Sequence, residues 1–140
     1  MKSTLVDAGP MIALFDKDDT YHIPVINFLK DYRGRLLTSW PVITEVSHLL
    51  SFNVKVQINF LEWIKREAVI IVNIETVHLD RIIELSKKYS DVPMDLADST
   101  LIVISELSDI RDIITIDSDY YIYLTKSKKR LNNLLLPYMH

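Results

Sequence analysis

The sequence predicts an α/β fold in which a mostly parallel β-sheet lies between two layers of helices, an α/β/α arrangement. Short apolar runs rich in β-branched residues alternate along the 140 residues with longer segments whose apolar residues return every three or four positions. Several of the short runs are apolar without interruption, as strands covered on both faces are. Strands that alternate with helices in this way build parallel sheets between helical layers.

The N-terminal part alternates twice between the two patterns. An apolar run predicts a strand at 4–7, and a short helix follows at 10–15 with proline in its first turn, where proline is tolerated. Apolar residues at helical spacing predict a second helix at 22–32, which a glycine ends. A short apolar strand at 35–38 then leads to a third helix, which opens at Pro41.

The rest of the chain adds three amphipathic segments and three apolar runs. The run at 69–74 is continuous and rich in β-branched residues, which predicts a strand buried on both faces. The predicted elements of this part are helices at 56–66, 76–89 and 95–107 and strands at 69–74, 113–117 and around 120–124. No linker, repeat or low-complexity tract interrupts them, so we expect a single domain over residues 1–140.

Composition excludes several classes of function. The chain has no cysteine, which excludes disulfides, thiolate metal sites and a cysteine nucleophile. It contains no paired histidine motif, phosphate-binding glycine loop or GxSxG elbow. No apolar run is long enough to span a bilayer and no secretory signal opens the chain, so we expect a cytoplasmic protein that does not act at membranes.

The charge distribution leaves nucleic-acid binding open. A net charge of −3 argues against bulk electrostatic attraction to a phosphate backbone. That objection weakens if acidic residues gather in one pocket and are neutralised by metal. One dense basic group has a solvated loop as its simpler interpretation and contact with RNA phosphates as the alternative. The group consists of Lys126, Lys128, Lys129 and Arg130.

Acidic residues occur where an α/β fold would place a metal site. Asp7 and Asp117 each end an apolar strand, and the carboxyl ends of parallel strands form the ligand-binding edge of a sheet. Asp95 and Asp98 share a helix face, and Glu45 lies in the third helix. Carboxylates are ligands that Mg²⁺ and Mn²⁺ prefer. Two such ions can activate a water and stabilise the leaving oxygen in phosphodiester cleavage.

Each of these residues also has a purely structural explanation. Asp95 is placed to cap a helix with Asp98 in its first turn, where the helix dipole favours negative charge. Glu45 lies early in its own helix, and Asp7 is placed to cap the helix that follows it. The individual positions are therefore ordinary, and it is their combination at strand ends and helix starts that favours a metal site.

The segment around Asp117 leaves several roles open. Asp117 is placed to begin a turn with Asp119, and either carboxylate can supply the acidic function of this segment. Thr115 and Ser99 adjoin the acidic residues and can donate to a phosphate or orient a carboxylate. Hydrogen bonding of such hydroxyls to nearby backbone is the simpler interpretation.

Four short blocks contain the acidic residues. They are LVDAGPMIAL at 5–14, PVITE at 41–45, MDLADS at 94–99 and TIDSDY at 115–120. In this order and spacing they resemble the PIN-domain family, most closely the VapC-type toxins of bacterial and archaeal toxin–antitoxin pairs. The resemblance extends over about residues 5–137.

The resemblance implies an α/β/α sandwich with Mg²⁺- or Mn²⁺-dependent endoribonuclease activity. By motif, Asp7, Glu45, Asp98 and Asp117 match the family's catalytic and metal-binding quartet. Asp95 precedes the third member, as an aspartate does in many relatives, and is a candidate assisting residue. The family's mechanism implies attack by an activated water that leaves 5′-phosphate and 3′-hydroxyl ends on RNA. Its toxins commonly form homodimers and are neutralised by a small cognate antitoxin protein.

Three alternatives differ from this interpretation. A PIN nuclease that is not a toxin, or a catalytically silent PIN-like binding module, would carry the same blocks. Metal-dependent RNA cleavage that Asp7→Ala abolishes would exclude the silent module. The pair of Asp117 and Asp119 after an apolar strand is also similar to the nucleophile loop of haloacid-dehalogenase-like phosphatases, but that loop normally lies near the N terminus and Tyr121 replaces its usual threonine or valine.

Overall fold

The computed structural model describes residues 1–139 and contains a five-stranded sheet with helices packed on it, which confirms the predicted fold class. Each strand pairing in this sheet is parallel. The strands in chain order are β1 (Ser3–Val6), β2 (Arg35–Thr38), β3 (Ile70–Ile71), β4 (Asp112–Ile114) and β5 (Asn132–Asn133). The helices are α1 (Ala8–Phe15), α2 (His22–Asp31), α3 (Trp40–Leu49), α4 (Val54–Lys65), α5 (Leu79–Lys88) and α6 (Leu96–Ser108).

The order of strands across the sheet is β3-β2-β1-β4-β5. The chain therefore runs outward from β1 to β2 and β3, then returns to the centre and places β4 and β5 on the other side. Such a reversal leaves a crevice at the carboxyl ends of β1 and β4, where open α/β sheets bind ligands. Successive strand residues such as Leu5 and Val6 point to opposite faces, and both are buried, so both faces of the sheet are covered.

Helix α6 is the most deeply buried helix and begins at the crevice. Every residue from Ala97 to Ser105 is buried, as expected of a helix with neighbours on all sides. It packs against α3 and α5, whereas α1 packs against α2, α3 and α4. Because α6 starts beside the ends of β1 and β4, its first turn faces the switch point of the sheet.

The strand predicted at 69–74 is shorter than predicted, and it lies at the edge of the sheet instead of being buried on both faces. Only Ile70–Ile71 pairs, and it pairs on one side, with β2, at the edge of the sheet. Ile70 is 40% exposed, so this run is not covered on both faces. A β-branched run indicates an extended backbone, but its place in the sheet depends on which strands pair with it.

The strand predicted around 120–124 is not found among the described residues. A 3₁₀ turn occupies Ser118–Tyr121, and the last strand is formed by Asn132–Asn133. In this stretch Tyr120 and Tyr123 are buried without strand pairing, whereas Tyr121 is exposed. The two asparagines carry no apolar signal, which is why the true strand could not be recognised.

Candidate metal centre

Asp7 lies at the switch point, directly after β1. Its backbone N–H donates to the Ile114 carbonyl oxygen at 3.1 Å, which holds it beside the end of β4. It occupies the N-cap position of α1, but its side chain makes no capping hydrogen bond, so the capping interpretation is wrong for this residue. Its Oδ2 atom instead accepts a hydrogen bond from Thr115 Oγ1 at 2.8 Å. The Thr115 hydroxyl therefore orients a carboxylate.

Asp95 and Asp98 begin α6 as a reciprocal pair. The Asp98 N–H donates to Asp95 Oδ1 at 2.8 Å, and the Asp95 N–H donates to Asp98 Oδ2 at 3.4 Å. This capping box confirms the capping interpretation of Asp95. Asp98 is also buried, and the hydroxyls of Tyr120 and Tyr123 donate to its two carboxylate oxygens, each at 3.3 Å. Capping therefore explains only some of the hydrogen bonds that Asp98 makes.

Asp117 begins the 3₁₀ turn that follows β4. Its N–H donates to Thr115 Oγ1 at 3.0 Å, and its own Oδ1 accepts from the Asp119 N–H at 2.9 Å. The predicted turn is thus confirmed. The single hydroxyl of Thr115 contacts both the Asp7 carboxylate and the Asp117 backbone, so it fixes these two residues relative to each other.

The three aspartates converge although they are far apart in the sequence. Side-chain oxygens of Asp7, Asp98 and Asp117 lie within 4.8 Å of one another. Glu45 and Asp95 join them in lining a cavity of about 310 Å³. The pairing of β1 with β4 and the start of α6 are what bring these carboxylates into one cavity.

Burial and neighbouring negative charges raise the pKa of Asp7, Glu45 and Asp98. Burial is the larger cause for Asp7, whose pKa rises to about 6 even though the Thr115 hydrogen bond lowers it. Burial, followed by the charges of Asp95, Asp7 and Asp117, raises the pKa of Asp98 to about 7. The pKa of Glu45 is raised by the same kinds of cause. The surroundings therefore disfavour the ionised form of these three groups, as expected at a functional site built to receive positive charge.

A sequence comparison decides the family. The family model of the PIN domain matches residues 4–123. This chain belongs to the PIN domain family. No curated protein sequence matches this PIN domain significantly.

A solved structure shares the fold of this PIN domain. It is the VapC20 toxin of Mycobacterium tuberculosis, a toxin that cleaves the sarcin–ricin loop, and the TM-score is 0.78. The two chains are 15% identical, and the match covers 85% of this chain and 93% of that chain. At this identity the match shows a common fold, and together with the family it leaves the haloacid-dehalogenase-like alternative without support.

Within residues 1–139, no helix has the length and apolarity needed to cross a membrane.

The acidic cavity of this PIN domain fits a divalent metal ion. The charged groups that line it are carboxylates, and carboxylate oxygens are the ligand atoms that suit Mg²⁺ and Mn²⁺. Among the ion pairs of the described chain, none joins Asp7, Asp98 or Asp117 to a lysine or arginine. Buried negative charge without a protein counterion is costly, and a bound cation would remove that cost.

Several other residues singled out from the sequence do not line the acidic cavity. Ser99 is buried and donates to the Leu96 carbonyl at 2.9 Å, which confirms its backbone-bonding interpretation. Asp119 does not line the acidic cavity, so in its segment it is Asp117 that joins the cluster. The basic group at 126–130 is exposed and leads into the start of β5, at the opposite, amino-terminal edge of the sheet. Its contact with RNA stays a prediction.

The structure adds Asn133, which sequence reasoning missed. Its Nδ2 donates to the Thr115 carbonyl at 3.0 Å, and its Oδ1 accepts from the Thr115 N–H at 3.2 Å. The side chain thus continues the β4–β5 pairing by one residue and holds the threonine that links Asp7 and Asp117. A pair of asparagines after a basic loop gives no sequence signal for this role.

Thr115→Val is expected to lower the free energy of unfolding by about 1–3 kcal/mol, because valine keeps the volume but leaves the Asp7 carboxylate and the Asp117 N–H without their hydroxyl partner. Urea denaturation of the metal-free protein measures this loss. Thr44→Val is the matched control, since its exposed hydroxyl bonds only the Trp40 carbonyl of its own helix. Equal losses in both variants would contradict the linking role of Thr115.

Proposed function

We propose that this PIN domain is a Mg²⁺- or Mn²⁺-dependent endoribonuclease of the VapC toxin type. The observation that carries the proposal is the convergence of Asp7, Asp98 and Asp117, whose side-chain oxygens lie within 4.8 Å of one another. Glu45 adds a fourth carboxyl group to the same cavity. The fold shared with VapC20, a toxin that cleaves the sarcin–ricin loop, supports RNA as the substrate.

The chain's own residues prepare the site for catalysis. Asp7, Asp98 and Asp117 would hold the cation between the ends of β1 and β4. When bound, such an ion supplies positive charge that activates a water and offsets the charge of the phosphodiester. Thr115 fixes the Asp7 carboxylate through its hydrogen bond of 2.8 Å, so this ligand is oriented in advance. Glu45 is partly exposed and lines the same cavity, and in this proposal it would accept a hydrogen bond from the attacking water.

The purified protein is expected to cleave RNA only when Mg²⁺ or Mn²⁺ is present, and to leave 5′-phosphate and 3′-hydroxyl ends. Asp7→Ala should lower the rate by about 10³-fold or more, because metal-ion catalysis is worth several kcal/mol. End mapping on a panel of RNAs measures this, and the panel includes RNA with the sarcin–ricin loop that VapC20 cleaves.

The control for this experiment is Asp18→Ala, which removes an exposed aspartate outside the acidic cavity. This variant should cleave at the rate of the wild type. Cleavage that continues in excess chelator, or in Asp7→Ala, would overturn the proposed mechanism. Absence of cleavage on every RNA would favour the silent binding module.

The proposed antitoxin partner is supported by an apolar surface beside the acidic cavity. Leu49 lines the cavity and is 50% exposed. Phe52, Val54 and Ile58 continue from it along the turn and the first part of α4, and each is at least 50% exposed. Exposed apolar patches of this kind mark protein interaction sites. A protein that covers this patch would also obstruct access to the carboxylates.

The remaining proposals follow from the VapC assignment. We propose that the protein forms a homodimer and acts on RNA in the cytoplasm, like the toxins that this chain resembles. Light scattering of the purified protein measures the oligomeric state. Growth arrest on expression, absent with Asp7→Ala, would support a toxin, whereas RNA cleavage without growth arrest would favour a PIN nuclease that is not a toxin.

A further inference from the structure

Two tyrosine hydroxyls lie directly behind the Asp98 carboxylate. Tyr120 Oη donates to Oδ1 of Asp98 and Tyr123 Oη donates to Oδ2, each at 3.3 Å. The two tyrosines are three residues apart: Tyr120 lies in the 3₁₀ turn that Asp117 caps, and Tyr123 follows two residues after the turn ends. One short segment therefore supplies one carboxylate of the cluster and the donors to another.

The rings of these tyrosines cannot turn away from Asp98 without disturbing the core. Tyr120 is 2% exposed and Tyr123 is fully buried at 0%. Their rings pack edge to face with centroids 5.2 Å apart, and Tyr123 packs in the same way on Tyr89 at 5.1 Å. The Tyr89 hydroxyl in turn accepts from the Leu124 N–H at 2.8 Å. This aromatic packing fixes where the two hydroxyls lie.

The hydroxyls leave part of the carboxylate free. Each carboxylate oxygen offers two lone pairs; Oδ2 accepts from Tyr123 and from the Asp95 N–H, whereas Oδ1 accepts from Tyr120. Oδ1 therefore keeps a lone pair for a cation, and Asp98 lines the acidic cavity. The pKa of both tyrosines is raised, chiefly by burial, so both hydroxyls stay protonated as donors. The Thr115 hydroxyl likewise donates to one carboxylate oxygen of Asp7.

We propose that Tyr120 and Tyr123 are positioning residues of the metal centre. They hold the Asp98 carboxylate in one orientation before a divalent cation binds, so that binding does not have to order this ligand. The inference rests on the proposed function, because it presupposes a cation in the acidic cavity. Hydrogen-bond partners behind a metal ligand typically change metal affinity by about 10–100-fold when they are removed.

The test is titration calorimetry with Mn²⁺ on chelator-stripped protein. Tyr120→Phe and Tyr123→Phe keep the rings and remove only the hydroxyls. Each single variant is expected to weaken Mn²⁺ binding several-fold, and the double variant by about 10–100-fold. Tyr121→Phe is the matched control, since Tyr121 lies in the same turn, is 44% exposed and should bind Mn²⁺ as the wild type does.

A second measurement separates positioning from simple structural support. In RNA cleavage, the Mn²⁺ concentration for half-maximal rate should rise in the variants while the rate at saturating Mn²⁺ stays near that of the wild type. Thermal melting without metal reports any change in folding, and the single variants decide the matter if the double variant unfolds. Tyrosine variants that bind Mn²⁺ within twofold of the wild type overturn this inference alone. A wild-type protein that binds no Mn²⁺ overturns the proposed function and this inference with it.

Discussion

Asp98→Asn is expected to abolish metal-dependent RNA cleavage while leaving the metal-free protein at least as stable as the wild type. The rate should fall by about 10³-fold or more, because the neutral amide removes a charged ligand from the cation. Stability should rise slightly, because the substitution removes the repulsion of Asp98 by Asp7, Asp95 and Asp117. Asparagine retains one oxygen that can accept from a tyrosine hydroxyl. Fluorogenic RNA cleavage and urea denaturation in chelator measure the two effects.

The control for Asp98→Asn is Asp119→Asn, which removes a nearby carboxylate that does not line the acidic cavity. It should retain cleavage, and its inactivity would reassign the acidic role in that segment from Asp117 to Asp119. A large loss of stability in Asp98→Asn would mean that its capping contact with the Asp95 N–H outweighs the repulsion.

The metal-free protein is expected to lose stability as the pH rises from 4 to 8. A carboxyl group whose pKa is higher in the folded than in the unfolded chain stabilises the fold fully below the unfolded pKa, and this stabilisation is lost as the pH rises through the folded pKa. Asp7 has a pKa of about 6 in the fold against 3.8 without it, and Asp98 has a pKa of about 7. Asp7 alone would account for a loss of roughly 3 kcal/mol, complete near pH 7.

Added Mg²⁺ or Mn²⁺ should reverse this loss, and should do so more at pH 8 than at pH 5, because protons compete with the cation for the same carboxylates. A concentration of about 100 times the dissociation constant would add roughly 2.7 kcal/mol. Urea denaturation across the pH series, with chelator and with metal, measures both effects. Asp98→Asn should show a shallower pH dependence. Stability that increases from pH 5 to 8 without metal would contradict the raised pKa values.

Local sequence patterns were sufficient to predict most of the elements. The strand at 35–38 is found at Arg35–Thr38 as predicted, and the helix predicted at 95–107 is found at Leu96–Ser108 with Asp95 as its cap. Helical spacing, prolines in first turns and acidic caps act through neighbours in the chain, so they can be recognised without knowledge of the fold. The acidic residues at strand ends could be named for the same reason.

Local patterns were thus enough to predict the alternating α/β architecture and the acidic residues that a metal site would use. The edge position of Ile70–Ile71 and the extension of the β4–β5 pairing by Asn133 became known only from the fold. The fold also places Tyr120 and Tyr123 behind Asp98. These contacts depend on pairing and packing between segments that are far apart in the chain. The order of the strands determines which segments meet, and it leaves no recognisable pattern in the sequence around each residue.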